Sequence, residues 1–599
     1  PQVGDLQMSL PRCPSPIASP SWWRPVAARM LLTTFTVCVV LSSSGQMQTG
    51  ESMKDFREVF GLTDGPADVR VTLIRTLSPG CIVFAGEQPE LTFQFENTSA
   101  HALKANGRVE VIRYATQGIP GDIWLPQVVK LEDLQAVPLS LDLAAGAWVD
   151  ITLRPVLPET KGGYGLVLDL GTGHRQFLAG LVRTFAPPAE RIQYPHQSLD
   201  EMDPSVLERL GIQAVRFGWP YIHSANPEYG RKLEELAGDM RTMHDHNVTV
   251  ALEFGAGWHP NPIPPLPRTH LNDEGVLIGG KGDMAWMPQD DKDFEDYVMK
   301  ILAAHGWPKG PVTAVMLWNE PWEGLSISGW GADMTRYRTI YRHLGQAVDR
   351  ARLDAGVDVL IGGCDSSSNT WDKLFPDGSD AFMPYYDFCS IHYQGMSAPT
   401  LYRAWRERTQ NKGRVLIWDT ESWVANTDDR IAGIVASNRA AGYDRALGVY
   451  FGNISTQLSH HRVQRDRIRT ADGPREQIRP LWSWPPAASV GAVQHFIGER
   501  PFREILFRRG LPWVYVFDGL HGNADDGTLV VIGDIGELFA NPDGMLFRNV
   551  RPLTELRENA ALRRRLAALP DGVPERLALE AESRSKRPFA GVTLSLPRA

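Results

Sequence analysis

The chain has 599 residues, too many for one hydrophobic core, and ordinary domain sizes divide it into roughly three or four units. Apolar residues make up 43% and charged residues 22%, the mix of a soluble globular protein. A formal net charge of −9 argues against a partner as acidic as a nucleic acid or an anionic membrane surface.

In chain order, Arg24 and Arg29 precede the apolar run Met30 to Leu41, and the small residues Ser42 to Gly45 follow it. A positive flank, a short apolar stretch and a small-residue exit predict a leader over residues 1–45 that carries a secretory signal peptide. The mature chain is then expected to be secreted or periplasmic. The run is shorter than the roughly 20 residues that span a bilayer, so no stable membrane anchor is expected. Beyond the leader only Cys81, Cys364 and Cys389 remain, which is no disulfide framework. Cys364 and Cys389 fall at the ends of neighbouring candidate strands and can either pair or stay as buried thiols.

Residues 66–186 show short runs of period-two alternation separated by turn residues, such as Val69 to Leu73, Leu91 to Phe95, Arg108 to Ile112 and Trp148 to Leu153. That texture predicts a β-sandwich. Ala186-Pro187-Pro188 closes it, and from 188 to 498 strands alternate with amphipathic helices, the pattern of a parallel sheet. The predicted strands are 191–194, 214–217, 249–254, 315–319, 359–361, 388–391, 415–419 and 447–451. Eight such units predict a (β/α)8 TIM barrel. A doubly wound sheet would carry a glycine-rich phosphate turn after its first strand, and no such turn is present. Short strands return over residues 499–599, predicting a small C-terminal β-rich domain. The fold class is therefore multidomain, with a central barrel between β domains.

Polar residues at the carboxyl ends of barrel strands face the pocket. The fourth predicted strand runs from Ala314 through Trp318-Asn319-Glu320-Pro321, an apolar stretch ending in a carboxylate beside an amide. The seventh repeats the arrangement in Val415-Leu-Ile-Trp418-Asp419-Thr420-Glu421. Strands four and seven lie on opposite sides of a barrel mouth, so Glu320 and Glu421 can face each other across a bound sugar. Glycosidic cleavage needs two such carboxyls, about 5 Å apart for retention and roughly 7–9 Å apart for inversion. Glu253, within its strand, and Glu323, beyond the turn, are weaker candidates for the pair. Eighteen tryptophans are many for this length, and Trp219, Trp258, Trp322 and Trp423 fall at or just past strand carboxyl ends, where a sugar platform would lie. His259 follows the third strand and is a further candidate for the pocket wall. No His-Glu-x-x-His, paired-cysteine or calcium-loop pattern occurs, so neither a catalytic metal nor a cofactor is expected.

Trp318-Asn319-Glu320-Pro321 resembles the acid/base motif of clan A glycoside hydrolases, the retaining (β/α)8 enzymes, and Thr420-Glu421 resembles their strand-seven nucleophile. The resemblance covers the barrel, and the flanking β domains look most like family 39 and its neighbours. It implies that Glu320 protonates the leaving oxygen and later activates water, while Glu421 attacks the anomeric carbon. It further implies that Asn319 bonds the sugar 2-hydroxyl, that Arg216 at the end of strand two orients the nucleophile, and that His392 is the strand-six histidine of the clan. Two departures stand out. The clan often places a tyrosine two residues after that histidine, where Gln394 stands here, and a tryptophan after strand eight, where Phe451-Gly452-Asn453 stands. Trp482 or Trp484 could substitute for the latter. The expected partner is a carbohydrate, and the expected enzyme is a secreted retaining glycoside hydrolase. A non-catalytic carbohydrate-binding protein would keep the tryptophans but could dispense with one carboxylate. A transglycosidase would differ only in letting an acceptor sugar outcompete water.

Overall fold

The computed structural model describes residues 52–63, 68–118, 126–171, 173–188, 190, 192–200, 202–255, 290–320, 334–363, 385–392, 415–421, 427–428, 431–440, 442–449, 454–456, 464–506, 513–520, 526–532, 539–540 and 546–547. The chain divides into two compact units, Pro1–Lys54 and Asp55–Ala599, and the second is described here. The expected leader, and the C-terminal tail beyond residue 547, lie outside the described residues. No described helix is long and apolar enough to cross a membrane.

Eight strands form the first region: β1 (Val69–Thr76), β2 (Ile82–Val83), β3 (Leu91–Asn97), β4 (Leu103–Gly118), β5 (Pro126–Leu143), β6 (Trp148–Leu153), β7 (Gly162–Asp169) and β8 (Arg175–Arg183). They pair into a three-stranded sheet in the order β1-β3-β6 and a five-stranded sheet in the order β2-β8-β7-β4-β5. The alternation read from the sequence sets one apolar face on each. Phe93 and Phe95 of β3 share a single core with Val109 and Val111 of β4, Leu141 of β5 and Leu166 of β7.

The next eight strands are β9 (Gln197–Asp200), β10 (Ala214–Trp219), β11 (Thr249–Phe254), β12 (Val312–Leu317), β13 (Leu360–Gly363), β14 (Phe388–His392), β15 (Leu416–Glu421) and β16 (Arg445–Val449). All neighbours are parallel, and β16 pairs with β9, so the TIM-like sheet closes on itself. Every residue of β11 and of β12 is buried, as expected where a strand is covered by helices on one face and by a filled interior on the other. The first barrel strand differs from the sequence reading: it is β9 at Gln197–Asp200 rather than 191–194. The apolar and aromatic pattern of 191–194 is too short to distinguish a strand from the approach to one.

The helices between these strands carry their own signals. Helix Pro204–Leu210 starts with Pro204 in its first turn, Asp203 accepts a bond from Ser205 N at 3.0 Å, and Gly211 ends it in a left-handed conformation at φ 74°. Helix Tyr229–Asp245 buries Leu236, Met240 and Met243, spaced four and three residues apart on one face. Helix Asp291–His305 has Asp291 and Asp293 in its first turn, where carboxylates complement the helix dipole.

The lower interior of the barrel is filled by Ala251, Ala314, Met316, Phe388 and Trp418. Phe388 and Trp418 stack with ring centroids 3.9 Å apart. Gly362 permits this, since a Cβ there would come within 2.3 Å of the Phe388 carbonyl oxygen and 2.5 Å of its ring.

After the barrel, β17 (Arg465–Thr470) and β18 (Gly473–Ile478) form a hairpin that turns back to the first region. Arg469 N donates to Gln94 Oε1 at 2.7 Å, and Gln94 Nε2 returns the bond to Arg469 O. Trp482 and Trp484, considered as substitutes at the sugar site, follow this hairpin onto the five-stranded sheet. Both pack on Phe177, and Trp482 lies close enough to Gly180 that a Cβ there would meet its ring at 2.7 Å. Finally β19 (Phe502–Leu506), β20 (Trp513–Phe517) and β21 (Thr528–Ile532) form an antiparallel sheet whose Ile505, Tyr515 and Phe517 join the main core. The short strands β22 (Phe539–Ala540) and β23 (Leu546–Phe547) pair beyond it.

Candidate functional site

The upper interior of the barrel changes character abruptly from apolar to ionic. On β10, Arg216 lies in mid-strand rather than at its end, and its guanidinium reaches three strands. Nε and Nη2 donate to Glu253 Oε2 on β11, the former at 2.9 Å. Nη1 donates to Glu421 Oε2 at 3.1 Å, and Nη2 also donates to Asn319 Oδ1. Glu253 is only 2% exposed, so its charge is compensated by this arginine rather than by water.

The end of β12 explains how Asn319 and Glu320 enter the same site. A regular strand would point consecutive side chains to opposite faces. Here Trp318 and Glu320 both adopt positive φ, 60° and 48°, a left-handed conformation that costs a non-glycine residue about 1–3 kcal/mol. Leu317 and Trp318 stay in the helix-facing core, while Asn319 meets Arg216 and Glu320 meets His392. Two outside bonds hold this turn: Trp318 N donates to Phe254 O at 2.8 Å, and Tyr337 OH donates to Leu317 O at 2.8 Å.

A second irregularity does the same for strand seven. The register of β14 against β15 shifts so that His392 pairs with Glu421 and Thr420 is passed over. Such a bulge re-aims side chains. Thr420 then reaches His392 Nε2 at 3.1 Å, while Glu421 reaches Arg216. Asp419 Oδ1 accepts from Glu421 N at 3.2 Å, pinning the carboxylate's backbone. Behind it, burial and then the Asp419 charge push the Tyr443 phenol well above its ordinary pKa.

His392 is fully buried between the two glutamates. Its Nδ1 lies 2.8 Å from Glu320 Oε1 and 3.6 Å from Glu421 Oε2. A neutral imidazole has one donor and one acceptor nitrogen, and the Thr420 hydroxyl facing Nε2 can serve either role. The ring can therefore accept from a protonated Glu320 or donate to an ionised one. One carboxylate oxygen of Glu320, one of Glu421 and a ring nitrogen of His392 all lie within 4.8 Å of one another. These are also donor types that metals take, but the His392 nitrogen facing both carboxylates is already engaged with Glu320.

Of the residues singled out in the sequence, Glu320, Glu421, Asn319, Arg216 and His392 are thus brought together. Trp219 is not. It is 3% exposed on the helix side of β10, its Nε1 donating to Tyr297 OH at 2.8 Å, so it is a core residue and no sugar platform. The last residue of a strand can face either layer, and the alternation from Phe217, which shares its core, carries Trp219 outward. Trp258, His259, Trp322, Glu323 and Trp423 lie outside the described residues, as do Tyr393, Gln394 and Phe451 to Asn453. Cys389 is buried, and Cys364 lies outside the described residues. Glu253, a weaker candidate in the sequence, belongs to the site, as do Thr420, which the sequence marks only as part of the Thr420-Glu421 motif, and Ser390, whose hydroxyl is bonded to that of Thr420. For Glu253 a signal exists: a carboxylate on the interior face of a fully buried strand demands a cation on a neighbouring strand, and Arg216 has the matching parity.

No family model and no curated protein sequence matches this chain. Among solved structures, a glycoside hydrolase family 30 subfamily 8 xylanase from Clostridium acetobutylicum is 12% identical over 54% of this chain and 78% of its own, with a TM-score of 0.34. A β-glucuronidase from Bacteroides uniformis is 9% identical over 79% of this chain and 58% of its own, with a TM-score of 0.27. A β-glucosidase from Listeria innocua matches 20% of this chain and 17% of its own, at 14% identity and a TM-score of 0.13. At this distance the likenesses carry no argument about chemistry, which rests on the geometry of the site.

Proposed function

We propose that this chain is a secreted, retaining O-glycoside hydrolase that cleaves a polysaccharide or oligosaccharide by double displacement. The observation that carries the reading is the pair Glu320 and Glu421, with carboxylate oxygens within 4.8 Å of each other at the ends of the fourth and seventh barrel strands. Nearest oxygens this close favour the short carboxyl separation of direct attack by a carboxylate over the wider gap that seats a water for inversion.

In the first step Glu421 Oε attacks the anomeric carbon while Glu320 gives its proton to the leaving oxygen, and the glycosidic bond breaks. His392 Nδ1 holds the Glu320 carboxyl in line, and Arg216 holds Glu421. Asn319, tethered by Arg216, is placed to bond the sugar hydroxyl next to the reacting carbon. In the second step Glu320 takes a proton from water, the water oxygen attacks the anomeric carbon, and the ester to Glu421 breaks. The β-sandwich over residues 66–186 and the sheet after the barrel then support the catalytic barrel by packing, and the segment 1–45 directs export.

Mature protein and its Glu421→Gln variant assayed on a panel of activated aryl glycosides test the reading. Hydrolysis by the wild type, lost in the variant, with the first-formed product keeping the substrate's anomeric configuration by NMR, is the expected result. A first product of inverted configuration would remove the nucleophile role from Glu421. Full activity in the variant would remove the glutamate pair altogether.

A further inference from the structure

We propose that Glu253, in the middle of β11, is a positioning residue for the glutamate pair, acting through Arg216. The inference rests on the glycosidase reading above. Three observations carry it. Glu253 is almost wholly enclosed, and Arg216 donates to it through both Nε and Nη2. That grip uses the edge of the guanidinium opposite Nη1, and a planar fork held along one edge has its remaining donors fixed in direction. Those remaining bonds go to Glu421 and Asn319.

The charge balance points the same way. Among the described residues, the charged and titratable groups facing Glu421 include Arg216 from β10, Glu253 beyond it on β11, Glu320 after β12, His392 from β14 and its own neighbour Asp419. Arg216 is the single permanent cation among them. With Glu253 in place its charge is shared between two carboxylates. Without Glu253 the whole charge would fall on Glu421, which would hold its electron pair more tightly and attack carbon less readily. Glu253 thus sets both the direction of the fork and how much of its charge the attacking oxygen feels.

The test uses the full mature chain with Glu253→Gln and Glu253→Asp, assayed for kcat and KM across pH on the best aryl glycoside. In the Gln variant the acid limb of the pH profile is expected to move down by about one unit, because removing a like charge near a carboxyl lets it ionise more readily. Its kcat is expected to fall about tenfold or more with KM little changed. The Asp variant keeps the charge but not the reach, so its kcat falls while its acid limb stays in place. A Gln variant that loses activity with an unmoved limb would overturn the inference and leave Glu253 a packing group. That result would leave the glycosidase reading intact, since it is decided by wild type and Glu421→Gln alone. Carboxyl-labelled glutamate in the wild-type chain gives a readout independent of turnover and of the folding of any variant. Resonances of Glu253 and Glu421 that titrate as a coupled pair support the inference, and two independent titrations overturn it.

Discussion

The two ends of the barrel interior are built on the same strands and obey opposite rules. At the lower end Ala251, Ala314, Met316, Phe388 and Trp418 fill space by shape. Higher up, Glu253 follows Ala251, Ser390 follows Phe388 and Thr420 follows Trp418, each two residues further along its strand, and His392 lies two beyond Ser390. The lower end tolerates any apolar set of the right volume. The upper end consists of buried charges that satisfy one another, where deleting one leaves another unpaired. The proposed site lies where the strands stop packing and start bonding.

Glu320→Gln should break that comparison most sharply at the upper end. The rate on substrates with unactivated leaving groups should fall about 10²–10⁴-fold, and much less with aryl leaving groups that depart without a proton. Thermal unfolding should be little changed, which a melt alongside the kinetics would check. At the lower end the pattern should reverse. Trp418→Ala removes a fully buried ring stacked on Phe388 and should cost about 3–5 kcal/mol of stability in denaturant titration, with the folded fraction still active.

Arg445 sharpens the comparison, because it places a charge at the apolar end. Its guanidinium lies 4.3 Å from the Trp418 ring and donates Nε to Pro195 O at 3.1 Å, but Nη1 and Nη2 are buried without hydrogen-bond partners among the described residues. Burial pushes its pKa down to about 10. Replacing such a group by an apolar one of similar length is often neutral or stabilising, so Arg445→Met should unfold at an equal or higher temperature. A melt lowered by several degrees would show that the cation earns its place on the tryptophan.

The smallest effect is expected just outside the barrel floor, at His196. Burial, and then the Arg439 charge, lower its pKa to about 4. The unfolded chain takes up a proton near pH 6.5 and the folded chain only near 4. Stability should therefore be fully present above about pH 6.5 and decline as pH falls towards 4. The ring keeps 37% of its surface in solvent, which weakens the effect. Denaturant titrations at pH 7 and 5 should show a smaller loss in His196→Gln than in the wild type.

Much of this was legible in the chain. Continuous apolar runs such as 249–254 and 315–319 mark buried parallel strands because both faces must be covered. A carboxylate placed directly after such a run can only lie at its mouth. The strand positions of Glu320 and Glu421 follow from that rule, whereas His392 and Arg216 were singled out by the resemblance, which set Arg216 at a strand end rather than in mid-strand. What local pattern could not supply was direction at the strand ends. Trp219 and Glu320 both follow apolar runs, yet one turns into the helix layer and the other into the site. The difference lies in positive φ angles at Trp318 and Glu320 and in a bulge between β14 and β15, which depend on contacts from Phe254, Tyr337 and the neighbouring strand.

The same division holds for the molecule at large. The sequence by itself located most of the barrel strands, though not the first, and the carboxylates that stand at strand ends, because periodicity and burial are properties of single segments. Only the tertiary structure decided that Glu253 meets Arg216, that Trp482 and Trp484 pack on Phe177 of β8, and that Glu320 and Glu421 come within reach of one histidine. Each of these pairs residues far apart in the chain, and closure of the sheet brings them together.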